Sequence, residues 1–303
     1  MNILLDAAQT AAHLPWTGLI ENIDRLLQDP SVQAPPRLVQ ALPGGGSLFV
    51  MPALDSQVAM TKLITFTPAN TGSALPTIQG DVIVFDVASG QRRLVLDGPT
   101  VTARRTAAVS VLAARLLAPN PSGPLLLVGA GVQAKAHLEA FAAVLGTRDV
   151  MIASRRTESA NALALHARSL GLSAHVVINA NAALADCALA VTCTPASQVV
   201  LDALPAADVF ISAVGAFTPL MVELGPRLCR HFWLEGSIFV DTADAGHEAG
   251  DLLQAGIDPS QCQTLSDVVR KRIRPALGPV LFKSCGWAGW DLAAARTALS
   301  MRT

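Results

Sequence analysis

From residue 125 to residue 241 the chain alternates short, unbroken apolar runs with segments whose apolar residues recur every three or four positions. LLLV (125–128), VMIA (150–153), ALAVT (188–192), VFISAV (209–214) and SIFVD (237–241) are apolar throughout rather than at every second residue. That is the pattern of strands covered on both faces, as in a parallel sheet. Between the first two runs, Ala134, Leu138, Phe141, Ala142 and Leu145 fall at helical spacing. A strand, a helix and a second strand in the same direction make a right-handed crossover, and the repetition predicts a doubly wound α/β sheet.

The residues before 119 read differently. SLFVM, AMTKLITF, TIQGDVIVFD and RRLVLD are strand-like segments in succession, and DVASG (86–90) is a hairpin loop between the last two. A helix is expected at about 101–117, with Thr100 or Thr102 as its N-cap. PNPSGP (119–124) holds three prolines and a glycine in six residues, so it ends that helix and reads as an inter-domain connection. The last segment, VLFKSCGWAGWDLAAARTAL, has a strand-like start and then a helix, and it follows the doubly wound region. The expectation is therefore two domains. Residues 119–278 form the doubly wound one, and residues 1–118 with 279–303 form a discontinuous α/β one.

Composition changes this picture little. The chain is 51% hydrophobic and 15% charged, yet no stretch reaches the ~18 uninterrupted apolar residues of a membrane span. The start, MNILLDAAQTAAHL, carries Asp6 and lacks a basic region, so no signal peptide is expected. A net charge of -1 without long basic or acidic blocks argues against nucleic acid or a membrane surface as partner. The five cysteines contain no CxxC and the six histidines no HxxxH or HExxH, so neither a disulfide framework nor a metal site is expected, and a reducing cytoplasm fits. Tyrosine is absent, which removes mechanisms that need a tyrosine acid.

The strongest chemical signal is LLLVGAGVQAKAH. Gly129-Ala-Gly131-Val132-Gln133-Ala134 is a GxGxxA loop that follows a strand and opens a helix, the setting of a dinucleotide-binding turn rather than of a bare glycine-rich one. Gly129 permits the tight turn, Gly131 lets the pyrophosphate approach, and Ala134 lets helix and strand pack closely. An NAD-type site carries an acid at the end of the second strand for the ribose 2′-hydroxyl. Here Ser154 stands in that place and Arg155 and Arg156 follow. A guanidinium binds a 2′-phosphate that a carboxylate would repel, so the expected cofactor is NADPH, with NADH possible. A solvated basic loop is the alternative reading of the two arginines.

Arg37, Lys62 and Arg105 are isolated basic residues in apolar or small-residue settings. Singly each reads as a surface residue or a structural ion pair; together they suggest a cluster for a small anion such as a carboxylate.

MPALDSQVAMTKLITFTPAN, LPTIQGDVIVFDVASG, LDGPTVTARRTAA, the glycine loop and FKSCGWAGWDLAAA, taken in order, resemble the ornithine cyclodeaminase/μ-crystallin family over nearly the whole chain. The resemblance implies a Rossmann domain inserted into an α/β substrate-binding and dimerisation domain, and a homodimer. It implies that Arg37, Lys62 and Arg105 hold a substrate carboxylate. It places cofactor contacts at Thr77, Arg105, Val132, Gln133, Thr194 and Ala213, Val214 and Gly215, with Ser284 near the nicotinamide. Cyclodeaminases carry an acid two residues after the glycine of a GADxP-like segment, whereas this chain has Gly215-Ala-Phe217-Thr-Pro219, similar to members that reduce Δ1-pyrroline-2-carboxylate. An apolar Phe217 suits packing against the ring of an already cyclic imine.

The activity expected is NADPH-dependent reduction of that imine to proline, and of Δ1-piperideine-2-carboxylate to pipecolate, with Lys62 and Arg105 as catalytic residues and Lys62 as a candidate proton donor. The alternatives are an ornithine cyclodeaminase and a μ-crystallin-like protein that binds NADPH and a small ligand. Asp291 is expected as the N-cap of the final helix, Cys285 as a pocket-lining residue without a base beside it, His137 on a helix surface, and Asp241 at a strand's carboxyl end in either a crevice-facing or a structural role.

Overall fold

The strand-like segments of the first hundred residues fold as an antiparallel meander in the computed structural model of the chain, which describes residues 3–70, 73, 75–195 and 197–301. The strands are β1 (Leu4–Leu5), β2 (Leu38–Ala41), β3 (Ser47–Leu54), β4 (Val58–Phe66), β5 (Ile78–Asp86) and β6 (Arg92–Asp97), in the sheet order β1-β6-β5-β4-β3-β2. Only β1 pairs in parallel, with β6. Side chains alternate across a strand, so Val58, Met60, Lys62 and Ile64 of β4 share the buried face. The helix Ala288–Ser300 packs on β3 and β4 and against the helix Trp16–Gln28. Arg296 fastens this layer, its guanidinium pairing with Asp29 and Asp55. Val87, Ala88, Ser89 and Gly90 make the expected hairpin turn between β5 and β6.

The helix expected at about 101–117 spans Gly98–Leu117. Neither Thr100 nor Thr102 caps it. Asp97, the last residue of β6, accepts the Thr100 amide at 2.8 Å, and the Thr102 hydroxyl donates to the Gly98 carbonyl at 2.9 Å within the helix.

The chain divides into two compact units, Met1–Thr106 with Trp287–Thr303, and Ala107–Gly286. The second contains β7 (Leu125–Val128), β8 (Asp149–Ala153), β9 (Ser173–Val177), β10 (Leu189–Thr192), β11 (Ser197–Leu201), β12 (Phe210–Ala213), β13 (Val222–Leu224), β14 (Ser237–Val240), β15 (Gln263–Thr264) and β16 (Val280–Lys283). Eight of these make one sheet in the order β15-β14-β16-β12-β10-β7-β8-β9. Every pairing in it is parallel. All five unbroken apolar runs lie in this sheet. The chain order reverses between β7 and β10, as in a doubly wound Rossmann fold. β11 and β13 form a separate parallel pair.

Both inter-domain boundaries differ from the expected ones. The first falls inside the helix Gly98–Leu117 rather than at PNPSGP, because from Ala107 onward that helix is buried within the second unit, where Ser110 bonds to Ser212 and His137. The second follows β16 instead of preceding it. Val280, Leu281, Phe282 and Lys283 are all buried, and β16 pairs with both β12 and β14, so residues 279–286 belong to the Rossmann sheet and only the following helix returns to the first unit. β9 was absent from the expected strands because its Ser173 and His175 are exposed, which interrupts the apolar run.

Candidate functional site

In a parallel sheet every strand ends at the same edge, and ligands of such sheets sit in the crevice outside the carboxyl ends, at the switch point. That edge gathers most of the expected cofactor residues. Gly129 follows β7 and has φ +118, a conformation costly for any residue with a Cβ; an added Cβ would also lie 2.9 Å from the Cys193 carbonyl. At Gly131 a Cβ would meet nothing within 4 Å, which leaves open space for an incoming group. Gly131 precedes the helix Val132–Ala140, whose first amides point outward at its positive end. Ala134 is fully buried under that helix, while Val132 is exposed. Gln133 presents a buried side-chain oxygen with no hydrogen-bond partner among the described residues. Ser154 follows β8, and Arg155 and Arg156 beside it are exposed. The open cradle, the free helix terminus and the orphaned Gln133 oxygen fit a nicotinamide dinucleotide.

The loops after β10 and β12 are held by a residue that the sequence reading did not single out. Glu223, in β13, is fully buried. Its Oε1 accepts the Thr194 amide at 2.6 Å and the Thr194 hydroxyl at 2.8 Å. Its Oε2 accepts the Thr192 hydroxyl at 3.0 Å and the amides of Gly215 and Ala216 at 2.7 and 3.3 Å. Asp251 Oδ1 accepts the amides of Glu223 and Leu224, and its Oδ2 lies 2.7 Å from the Lys283 ammonium. Lys283 also donates to the Ala216 carbonyl. Burial pushes the Glu223 carboxyl above the ordinary carboxylate range, opposed by Lys283 and the Thr194 amide. Three backbone amides that can only donate face this carboxyl, and they fit the ionised form. Burial also disfavours the charge on Lys283, but Asp251 and Glu223 outweigh it and hold its pKa above that of a free lysine.

Asp241, after β14, has a structural role. Its Oδ2 accepts the Ser284 hydroxyl at 2.8 Å and the amides of Cys285 and Gly286 at 3.0 and 2.8 Å, which pins the turn after β16. Cys285 lies in the apolar cluster of this unit, and burial raises its thiol pKa, which disfavours the thiolate. Phe217 is half-buried and packs on the same cluster. Ala213 is buried in β12, and Val214 and Gly215 lead out of it.

His137 was expected on the surface and is fully buried. Its Nδ1 faces the Gln133 carbonyl at 2.8 Å and so carries the proton; its Nε2 accepts from the Ser110 hydroxyl at 3.0 Å. Burial lowers its pKa to about 4, which keeps the ring neutral. The helix turned this face inward, a choice that an isolated polar residue in an Ala-rich helix does not reveal.

The first unit holds the cation cluster. Lys62 and Arg105 are buried, and Asp291 lies with them, its Oδ2 2.9 Å from Lys62 Nζ and its Oδ1 3.3 Å from Arg105 Nε. Asp291 therefore does not cap the final helix. Trp287 occupies the N-cap position, and Asp291, one turn in, faces the sheet as the counter-ion of two cations. The contacts are ion pairs rather than aligned hydrogen bonds, since neither Asp291 oxygen has a hydrogen-bond partner among the described residues. Burial lowers the Lys62 pKa to about 8, with Arg105 and Arg37 lowering it further and Asp291 opposing them. Arg37 is close enough to act on Lys62 in this way and stands just before β2. Thr77, just before β5, gives its carbonyl to the Thr67 amide. The signal available for Asp291, Glu223 and Lys283 was the same as for Lys62: a single charge inside an apolar segment.

A glycine turn between strand and helix, with the switch point of a parallel sheet beside it, defines a Rossmann-type nucleotide-binding protein. The profile of the ornithine cyclodeaminase/mu-crystallin family matches residues 4–300, and the chain belongs to that family. It is similar to Delta(1)-pyrroline-2-carboxylate reductase 2 of Burkholderia ambifaria, at 37% identity over 97% of this chain and 94% of that protein. It is 36% identical to the Delta(1)-pyrroline-2-carboxylate/Delta(1)-piperideine-2-carboxylate reductase of Azospirillum brasilense, with the same coverage of both chains. Its fold matches that of Thermococcus litoralis Delta(1)-pyrroline-2-carboxylate reductase solved with NADH and L-proline, with a TM-score of 0.90, 23% identity, and 99% of this chain and 97% of that one covered. With relatives of this kind the chain is an oxidoreductase.

Proposed function

We propose that the protein reduces the C=N bond of Δ1-pyrroline-2-carboxylate to L-proline, and of Δ1-piperideine-2-carboxylate to L-pipecolate, with NADPH. The named activities of the relatives support the substrate class. The observation that carries the reading in this chain is the buried Lys62–Asp291–Arg105 cluster, a pair of cations sharing one carboxylate and so still short of negative charge. Arg37, Lys62 and Arg105 bind the substrate carboxylate, which restores that balance. Fixing the carboxylate orients the imine carbon and nitrogen of a small rigid ring. Bound on the Gly129–Gly131 turn, with Thr194 and the segment after β12 beside it, NADPH supplies the hydride. The nitrogen must carry a proton for the carbon to accept hydride. Lys62 Nζ holds a proton more loosely than an ordinary lysine, and we assign to it the protonation of the imine nitrogen. Phe217 replaces the acid that cyclisation of an open diamine calls for and packs the hydrocarbon side of the ring.

The test is consumption of NADPH and NADH with the five- and six-membered imines, side by side. Ammonia release from ornithine with NAD, in place of imine reduction, would instead make the protein a cyclodeaminase. Binding of NADPH with no turnover would make it a ligand-binding protein. We further propose a homodimer. The open edge strand β2, with Leu38 and Val39 each more than half exposed, supports it, and a monomeric mass by sedimentation would refute it.

Arg155→Ala is expected to weaken NADPH by ~1.5–3 kcal/mol, the scale of a hydrogen bond to a charged group, and to leave NADH unchanged. Unaltered NADPH/NADH ratios in this variant and in Arg156→Ala would show that the two arginines are merely solvated. Phe217→Asp is expected to lower kcat/KM for the five-membered imine by about tenfold or more, since each buried ring CH₂ contributes ~0.8 kcal/mol. Unchanged kinetics in that variant would place Phe217 away from the ring.

A further inference from the structure

One carboxylate in the second unit is surrounded by donors from two loops and touches no solvent. Glu223 accepts five hydrogen bonds, two from Thr194, one from Thr192, and one each from Gly215 and Ala216. Its β13 lies outside the main sheet, yet the groups it binds all belong to the carboxyl ends of β10 and β12 or to the loops that follow them. These strands lie on one side of the switch point, where a parallel sheet places its ligand.

The arrangement is closed on every side. Asp251 fixes the Glu223 backbone through the amides of Glu223 and Leu224, and Lys283 joins Asp251 to the Ala216 carbonyl. Ala216 is thus gripped at both of its backbone polar groups, its N–H by Glu223 and its carbonyl by Lys283. Gly215 makes the approach feasible, because a Cβ there would lie 2.5 Å from Glu223 Oε1 and 2.2 Å from the Thr194 carbonyl. Two carboxylates and one ammonium, all buried, are a poor way to gain stability, since apolar residues of similar volume serve it as well or better. Their directional bonds do something that apolar packing does not: they hold two irregular loops at one fixed spacing.

We propose that Glu223 is the positioning residue for cofactor binding, a clamp that locks the loops after β10 and β12 to each other at the nucleotide edge. The inference rests on reading this edge as the NADPH site. Thr194 and the segment ending at Gly215 are the residues expected to touch the cofactor, and both hang from this one side chain. Glu223 itself meets neither cofactor nor substrate.

The experiment is fluorescence titration of the full chain with NADPH, for the parent, Glu223→Gln, Thr192→Val and the double variant, with melting temperatures and imine KM at saturating NADPH alongside. Glu223→Gln turns a donor group toward amides that can only donate, and its Kd for NADPH is expected to rise about tenfold to a hundredfold. Imine KM is expected to move less than Kd, by under about threefold, because the residues assigned to the substrate carboxylate, Arg37, Lys62 and Arg105, lie outside these loops. Thr192→Val removes one of the five donors without changing shape, and its Kd is expected to rise about two- to fivefold. The double variant is expected to match Glu223→Gln, as partners in one network are not additive. If Glu223→Gln does not fold, the isosteric Thr192→Val carries the test alone. Lower melting temperatures with an unaltered NADPH Kd would overturn the proposal and leave Glu223 a structural residue. So would an imine KM that rises in proportion to the Kd. A parent that binds NADPH but reduces neither imine would refute the substrate reading and leave the clamp standing. A parent that binds neither NADPH nor NADH would overturn both.

Discussion

A Lys62→Met chain is expected to lose about 10²–10⁴-fold in kcat/KM on the cyclic imines, the usual worth of a positioned general acid. It is expected to melt no lower than the parent at pH 7, which separates a catalytic role from a structural one. Lys62 is 2% exposed, and burial brings its pKa down to about 8, well below that of a free lysine, even with Asp291 at 2.9 Å. A charge whose pKa is lowered on folding opposes folding. The cost is fully present below about pH 8 and is relieved as the pH climbs from there toward the unfolded value; it amounts to about 3 kcal/mol. Methionine keeps much of the stem's volume and carries no charge, and Arg105 remains beside Asp291, so the variant escapes that cost. The parent should therefore gain stability between about pH 8 and pH 10 relative to Lys62→Met. Denaturant midpoints across that range check it. A variant that retains most of its activity, or that melts well below the parent at pH 7, would refute the assignment.

Gly215→Ala is expected to destabilise the protein by about 3 kcal/mol and to weaken NADPH in the fraction that folds. The new methyl would stand 2.2 Å from the Thr194 carbonyl and 2.5 Å from its amide nitrogen, and backbone cannot swing aside as the end of a flexible side chain can. The two loops must part, and the bonds to Glu223 part with them. Gly131→Ala is the control. Its methyl meets nothing within 4 Å, so stability should stay within about 0.5 kcal/mol while NADPH binding falls, because it fills the space we assign to the pyrophosphate. Equal melting temperatures for Gly215→Ala and the parent would mean that the loops are not locked together.

The difference between these two glycines shows where local reading ends. The Gly129–Gly131 turn was legible because its chemistry is local: strand, turn and helix are adjacent in sequence, and the absence of an acid at Ser154 is visible by inspection. Gly215 could be recognised as the end of a strand but not as the neighbour of Glu223. Lys62 was legible in part, as a single charge inside an apolar strand-like segment. Its partner was not, because Asp291 lies at the far end of the chain and was read as a helix cap.

Strand and helix periods, set by backbone geometry, determined the parallel sheet with its glycine turn and the succession of strands before it. Only the tertiary structure decided that β16 enters the Rossmann sheet, that His137 is buried and neutral, that Asp291 is the counter-ion of Lys62 and Arg105, and that Glu223 binds two loops. The physical reason is that periodicity says which face of an element is buried but not what it is buried against. A buried charge is stable only beside partners brought by distant segments, so its role becomes visible when those segments have met.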